Sequence, residues 1–249
     1  MKTILYYILN LTFHTLDKDI IKLLPDKKKL IIFDVGCYRG VFFKRLLKQL
    51  KYSAKSSKFY LFDINKNVKN YLKDYLKLKN IFYKEIAISN KNGKAKYHYN
   101  RFFEASGSSL STVYKGDAKW VRARKFFLKM LFQKTDDYIS YQVPTMMLDT
   151  FIEKNKLKKV DVIKIDVDGS EMDVLQGLKK SFKKNKVKIL LTEINERPKY
   201  KYYKKVKKIK NFLEMHNFKL IKINTMLAPE IFSDLKSGDY LFVNKKYYS

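Results

Sequence analysis

The chain has 249 residues, 46% of them hydrophobic and 15% aromatic, so it can bury a large core and is not a disordered polymer. Its 54 basic and 24 acidic side chains give a net charge of +30, but 48 of the basic residues are lysine and six are arginine. Because arginine is the better phosphate ligand, this favours a solvated basic surface over a dedicated nucleic-acid surface. The single cysteine, Cys37, excludes an internal disulfide and fits the reducing cytoplasm.

The N-terminal segment, residues 1–27, is predicted to be a helical extension of a domain that occupies residues 28–249. Residues 1–13 are apolar at helical spacing, but they fall short of the roughly 20 apolar residues that a membrane-spanning helix needs. They also lack a signal-peptide cleavage site. We expect a helix packed on the domain or on a partner. The alternative is a peripheral membrane contact through residues 1–13, helped by the basic surface.

Short apolar runs then alternate with helical patterns along the chain. Strands are predicted at Leu30–Val35, Phe59–Ile64, Ile81–Ile88, Val160–Val167, Val187–Ile194, Lys219–Asn224 and Tyr240–Asn244. Helices are predicted at Val41–Leu50, Val68–Leu78, Glu171–Phe182 and Tyr202–His216. This alternation is typical of a doubly wound α/β domain with a mostly parallel, seven-stranded sheet covered on both faces.

An insert at about residues 100–142 interrupts the alternation and contains a basic, aromatic run at Lys119–Gln133. A connection of this length inside a domain is usually a lid or a substrate loop. The run could bind a charged glycan, a phosphorylated carrier or single-stranded nucleic acid. It could equally form an amphipathic helix whose aromatic side chains are buried.

The first strand leads into a glycine turn at Asp34–Gly40 and then into a helix. A turn of this kind presents backbone N–H groups to a ligand, and we expect Gly36, Tyr38 and Gly40 to contact a cofactor. The spacing differs from that of dinucleotide-binding enzymes, and a carboxylate, Asp34, precedes the turn. Asp34 suits the ammonium of a cofactor with an amino-acid end. The alternative is a tight turn that binds nothing.

Asp63 ends the second strand, where a carboxylate can accept hydrogen bonds from both ribose hydroxyls of an adenosine group. The neighbouring Ile64, and Ile86 and Ala87 on the third strand, are then expected beside the cofactor and its adenine. The alternatives are a carboxylate that only favours the start of the next helix and a plain buried strand end.

Three acidic residues, Asp166, Asp168 and Glu171, crowd the carboxyl end of the Val160–Val167 strand, which is the edge where open α/β sheets bind ligands. Such carboxylates repel one another unless they bind a cation, share a proton or meet a positive substrate. Glu193, at the end of the next strand, could join Asp166 and Asp168 in an oxygen cluster for Mg²⁺ or Mn²⁺. The alternative is that Asp168 and Glu171 only cap the following helix.

These motifs resemble the FkbM family of S-adenosylmethionine-dependent methyltransferases over about residues 28–245. The matching segments are Ile31–Gly40, Phe59–Asp63, Ala87–Gly93, Ser108–Leu110 and Val143–Gly177. The resemblance implies a Rossmann-like class I methyltransferase fold with an antiparallel strand near the C-terminus. It also implies S-adenosylmethionine as cofactor and a hydroxyl of a sugar, glycan or secondary metabolite as acceptor. Asp63 and Asp168 depart from the family, which usually has glutamate at both positions.

Because a hydroxyl must lose its proton during methyl transfer, we expect Asp166 to act as general base or to orient the acceptor. We also expect Asp166 to contact the cofactor. Asp168, Glu171 and Glu193 are further catalytic candidates. Two other functional classes stay open: an RNA methyltransferase that uses the basic surface, and a catalytically silent binding module. The sequence lacks the Asn/Asp-Pro-Pro-Tyr motif of exocyclic-amine methyltransferases, and the fifth strand ends in Glu193 where a ribose 2′-O enzyme would need lysine.

Overall fold

A computed structural model describes residues 16–24, 29–100, 110, 138–196, 199–226 and 236–248. The strands are β1 (Ile31–Val35), β2 (Lys58–Asp63), β3 (Ile81–Glu85), β4 (Ala87–Ile88), β5 (Gly93–Asn100), β6 (Tyr138–Met146), β7 (Val160–Ile165), β8 (Val187–Glu196), β9 (Phe218–Met226) and β10 (Lys236–Asn244). The helices are α1 (Asp17–Leu23), α2 (Val41–Leu50), α3 (Ser53–Ser56), α4 (Val68–Leu72), α5 (Leu148–Lys154), α6 (Glu171–Gln176), α7 (Lys179–Lys183) and α8 (Lys199–Glu214), with a 3₁₀ turn at Tyr75–Lys77.

Seven strands form the main sheet in the order β3-β2-β1-β7-β8-β10-β9. Neighbouring strands from β3 to β8 run parallel, whereas β10 lies antiparallel to both β8 and β9. The predicted doubly wound, mostly parallel sheet is therefore confirmed. Its order reverses between β1 and β7, and ligands bind at such a switch point in open α/β sheets.

Alternating side chains of each buried strand pack into two cores, one on each face of the sheet. Phe33 and Ile163 face α5, α6 and α8, where they join Phe151, Leu175 and Ile209. On the opposite face, Ile32, Leu61 and Val162 pack with Ile20 of α1 and Phe43 of α2. Strands buried on both faces explain the nearly continuous apolar runs in the sequence.

A second sheet has three strands in the order β4-β6-β5, and β4 begins just after the carboxyl end of β3. The predicted strand Ile81–Ile88 is interrupted at Ile86, whose N–H donates to the Asp63 carbonyl oxygen at 3.1 Å. This break divides the run into β3 and β4, which belong to different sheets. The second sheet was not predicted, and β6 begins inside the segment expected to be an insert.

Several predicted boundaries are wrong. The helix expected at Val68–Leu78 ends at Leu72, and the one expected at Glu171–Phe182 divides into α6 and α7 around Gly177. A Cβ at Gly177 would lie 2.3 Å from the Ser89 carbonyl oxygen, so the backbones approach closely there. The last strand, expected at Tyr240–Asn244, begins earlier, at Lys236.

Residues 1–13, the run Lys119–Gln133, and Ser108 and Ser109 lie outside the described residues. Within the part of the chain that the structure describes, no helix has the length and apolar character needed to cross a bilayer.

Candidate cofactor and catalytic site

A cleft lies at the carboxyl edge of the main sheet, where β1, β2, β7 and β8 end. It encloses about 900 Å³ of space, part of it open to solvent. Four acidic side chains line it, namely Asp63, Asp166, Asp168 and Glu193, and every charged side chain that the structure describes in the lining is acidic. This acidity is local, because the whole chain has a net charge of +30.

The glycine turn after β1 forms one wall of the cleft through Gly36 and Tyr38. The expectation that the turn offers its N–H groups to a ligand is wrong for four of them. The N–H groups of Gly36 and Cys37 donate to the Phe62 carbonyl oxygen at 2.9 and 3.2 Å. The N–H of Gly40 donates to Cys37 and that of Tyr38 to Asp63. The turn is therefore held against the end of β2.

Asp63 lines the cleft and also anchors this turn. Its Oδ2 accepts the Tyr38 N–H at 2.7 Å, and its Oδ1 accepts the Asn65 N–H at 2.9 Å. Burial raises the pKa of Asp63, and these two backbone hydrogen bonds oppose the rise. Each carboxylate oxygen has a second lone pair, so both can also accept a hydroxyl from a ligand.

Apolar side chains form the part of the cleft next to Asp63. They are Ile64, Ile86, Ala87 and Ile88, with Tyr97 of β5 and Leu110. Tyr97 is buried on the second sheet, so the fold of β4, β5 and β6 completes this wall. An apolar slot beside a carboxylate suits a flat aromatic base attached to a sugar.

Two predicted cofactor residues, Asp34 and Gly40, do not line the cleft. Asp34 is 1% exposed, and it lies in register with Lys164 on the neighbouring strand β7. Burial raises the pKa of Asp34 to about 6, although the Lys164 ammonium opposes the rise. Gly40 has φ +69° just before α2, and a Cβ there would lie 2.6 Å from Leu72. Both residues therefore contact neighbouring elements of the fold and do not face the cleft.

Asp166 follows β7 directly and lines the cleft. Its N–H donates to the Val35 carbonyl oxygen at 2.9 Å, which fixes its backbone beside the glycine turn. Its Oδ2 accepts a hydrogen bond from the Lys164 Nζ at 2.8 Å. Burial would lower the pKa of Lys164, but the carboxylates of Asp166 and Asp34 outweigh that effect and raise it. The cation is therefore retained beside Asp166.

Glu193, on β8, lines the same region. The Asp166 carboxylate, burial and then Asp239 hold the pKa of Glu193 well above its usual range. Its Oε1 accepts the Ser237 hydroxyl at 2.9 Å, and Asp239 lies opposite it on β10. Burial also raises the pKa of Asp239, to about 6. The carboxyls of Glu193 and Asp239 therefore keep their protons to a higher pH than isolated carboxyls do.

The other two predicted acids have different surroundings. Asp168 lines the cleft with φ +47°, and its Oδ1 accepts the Asn195 Nδ2 at 3.0 Å. Glu171 is fully buried and is not part of the lining. It accepts the Gly169 N–H at 2.8 Å and forms an ion pair with Lys205 of α8 at 2.7 Å. These contacts favour a structural role for Glu171, and its catalytic role stays a prediction.

The arrangement fits S-adenosylmethionine better than it fits a metal ion. Asp63 and the apolar slot suit an adenosine group, and Asp166 and Glu193 supply carboxylates for the positively charged methionine end. Among the described residues, no group of three or more acidic, histidine or cysteine side chains is arranged to hold a metal ion. The Mg²⁺ or Mn²⁺ cluster expected at Asp166, Asp168 and Glu193 thus gains no support.

Sequence reasoning missed several residues of this region, namely Lys164, Asn195, Ser237 and Asp239 and the cleft residues Tyr97 and Leu110. The signal for Lys164 was present, since a lysine lies inside the otherwise apolar strand Val160–Ile165. Asp239 reaches the site only because β10 inserts antiparallel between β8 and β9. No local pattern reveals that pairing.

One of the solved structures compared with this chain shows the same kind of fold. The FkbM methyltransferase of Methylobacillus flagellatus KT superposes with a TM-score of 0.51 at 11% identity, covering 86% of this chain and 43% of that one. This chain thus spans less than half the length of that protein. The magnesium protoporphyrin IX methyltransferase of Synechocystis PCC 6803, solved with bound S-adenosylmethionine, gives 0.45 at 11% identity over 92% and 77% of the two chains. No curated protein matches this sequence.

The family model described as the methyltransferase FkbM domain matches residues 34–220, which is most of the chain. The matched region contains the glycine turn, Asp63, the segment around Asp166, and Glu193. The chain therefore belongs to the FkbM methyltransferase family.

Proposed function

We propose that the protein methylates a hydroxyl group on a sugar, a glycan or a secondary metabolite. The observation that supports this best is the position of Asp166, which lines the cleft close to Glu193 and is fixed by Lys164. The bound cofactor supplies an electrophilic methyl group. A hydroxyl that attacks it must give up its proton, and Asp166 is suited to accept that proton or to orient the hydroxyl.

The acidic lining also supports a neutral or cationic acceptor over a polyanion. Phosphate groups close to Asp166, Asp168 and Glu193 would be repelled, whereas sugar hydroxyls can donate hydrogen bonds to these carboxylates. The remaining candidate is RNA methylation, which the net charge of +30 and the exposed lysines Lys201, Lys204, Lys207 and Lys208 of α8 favour. We prefer the hydroxyl acceptor because the charge of the cleft itself is negative.

We further propose that the protein acts in the cytoplasm. Its single cysteine is free and buried, as suits a reducing compartment. A glycan acceptor attached to a lipid would bring the protein to a membrane surface, where the segment of residues 1–13 and the basic surface could make a peripheral contact.

Calorimetric titration with S-adenosylmethionine tests the cofactor first. Transfer of a radiolabelled methyl group is then measured with free sugars, sugar nucleotides, glycans and RNA. We expect transfer to a sugar-containing acceptor. Asp166→Asn should bind the cofactor more weakly, because one carboxylate near its positive end is lost, and at saturating cofactor it should still lose at least about 100-fold in turnover. The control is Asp74→Asn, because Asp74 is exposed, does not line the cleft and pairs with Lys77 at 2.9 Å. Transfer only to RNA, with steep salt dependence, would overturn the proposal.

A further inference from the structure

Lys164 is a nearly buried cation inside the strand that leads to the site. Its side chain is 15% exposed and lies on the α1–α2 face of β7, the same face as Val162. The ammonium contacts Asp166 Oδ2 at 2.8 Å on one side and lies 5.7 Å from the centre of the Phe42 ring on another. Lys164 does not line the cleft, whereas Asp166 does.

Carboxylates from four strands surround this ammonium. Asp34 of β1 lies in register with Lys164, and Asp166, Glu193 of β8 and Asp239 of β10 all interact with it. Both carboxylate oxygens of Asp34 are buried, and the backbone N–H of Phe43 is a neighbouring donor that lowers the Asp34 pKa. Two further sets of titratable groups lie near these carboxylates. One is Asp63 and Cys37 at the glycine turn, and the other is the ion pair of Asp17 on α1 with Arg45 on α2.

One ammonium, 15% exposed, therefore interacts with four carboxylates. A lysine at this position is costly to bury, and an apolar side chain would pack well between β7 and Phe42. Packing alone therefore gives no reason for a lysine here. We propose that Lys164 is a positioning residue. It fixes the Asp166 carboxylate at the cleft and partly neutralises the negative charge of the carboxylates on the neighbouring strands. This inference rests on the proposed role of Asp166.

The charge of the cleft should then depend on Lys164. Removing the ammonium takes away the attraction that stabilises the ionised carboxylates, so the cluster should take up protons at a higher pH. S-adenosylmethionine carries a positive sulfonium, whereas S-adenosylhomocysteine has a neutral sulfur at the same place. The ratio of their affinities therefore reports the charge of the cluster, and it is independent of the unknown acceptor.

The experiment measures both affinities by calorimetry from pH 5 to pH 9 for the wild type and for Lys164→Met and Lys164→Arg. In the wild type we expect the preference for S-adenosylmethionine to grow as the pH rises through about 6, where Asp34 and Asp239 ionise. The midpoint is the pH at which half of this change in the affinity ratio has occurred. Lys164→Met should raise the midpoint by about one pH unit or more, and Lys164→Arg should restore the wild-type midpoint.

Lys188→Met is the matched control. Lys188 is also nearly buried, at 18% exposure, and pairs with the buried Asp161 at 2.9 Å, but it lies at the opposite end of the neighbouring strand. Lys188→Met should lower the free energy of unfolding without moving the pH midpoint of the affinity ratio. An unchanged midpoint in Lys164→Met, or an equal shift in Lys188→Met, would overturn the proposal. A wild type that binds neither ligand would instead contradict the assigned cofactor.

If Lys164→Met does not fold, the wild type and Asp166→Asn provide a second measurement. The ammonium protons of Lys164, observed by nitrogen-15 NMR, should exchange slowly in the wild type because the hydrogen bond to Asp166 holds them. They should exchange faster in Asp166→Asn, with the fold unchanged. Equal exchange rates in the two proteins would show that Lys164 and Asp166 do not position each other. Retained turnover in Asp166→Asn would contradict the proposed function separately.

Discussion

A Cβ at residue 36 would lie 1.7 Å from the carbonyl oxygen of Asp166. The glycine turn after β1 therefore touches the backbone of the proposed catalytic residue, and the gap admits no side chain. Gly36 also has φ +77°, in the left-handed region that glycine adopts at little cost. Glycine at residue 36 therefore allows the turn after β1 to lie directly against the segment around Asp166.

Gly36→Ala should be strongly destabilising, by about 3 kcal/mol or more, because the methyl group must displace backbone and not a flexible side chain. Gly93→Ala is the control, since Gly93 also has positive φ, at +137°, but nothing lies within 4 Å of its Cβ position. The control should lose only the cost of backbone strain, about 1–2 kcal/mol. Urea unfolding measures both values. Equal losses would show that the contact with Asp166 is unimportant.

Asp63→Ala should weaken S-adenosylmethionine binding by at least about tenfold, because it removes a charged acceptor from the cleft and releases the Tyr38 N–H. Calorimetric titration measures the change, and Asp74→Ala serves as the exposed control. Unchanged affinity in Asp63→Ala would remove Asp63 from the cofactor site.

Asp34→Asn should stabilise the protein at pH 8 by about 1–3 kcal/mol and have much less effect at pH 4. The pKa of Asp34 is raised from 3.8 to about 6 in the folded protein, so folding favours the protonated carboxyl. The stability that the protonated Asp34 carboxyl contributes is fully present below pH 3.8 and is lost as the pH rises through about 6. Urea unfolding at both pH values, compared with the wild type, isolates this group. A loss of stability at pH 8 would contradict the expectation.

Glu171→Gln should lower the free energy of unfolding by about 3 kcal/mol, because it leaves the Lys205 ammonium without its carboxylate partner. We expect the folded variant to keep its affinity for S-adenosylmethionine and its turnover, since Glu171 is fully buried outside the cleft. Unfolding experiments and methyl-transfer assays on the same preparation separate the two effects. A loss of turnover in a stable variant would restore Glu171 to the catalytic group.

The apolar runs and the residues that end them were sufficient to predict the sheet and much of the cleft. Asp63, Asp166 and Glu193 could be placed at one edge because parallel strands share the edge at which they end. The direction of side chains within a strand was harder to predict. Asp34 was expected in the cleft but faces Lys164 behind it, because alternate residues point to opposite faces of the sheet.

The sequence by itself determined the fold class, the family and the edge of the sheet that carries the proposed cofactor site, since these depend on local apolar patterns and on short motifs. The tertiary structure decided which groups contact one another there. Hydrogen bonding across strands uses the N–H groups of the turn, and insertion of β10 brings Ser237 and Asp239 to Glu193. Such contacts depend on register between distant segments, which no local spacing specifies.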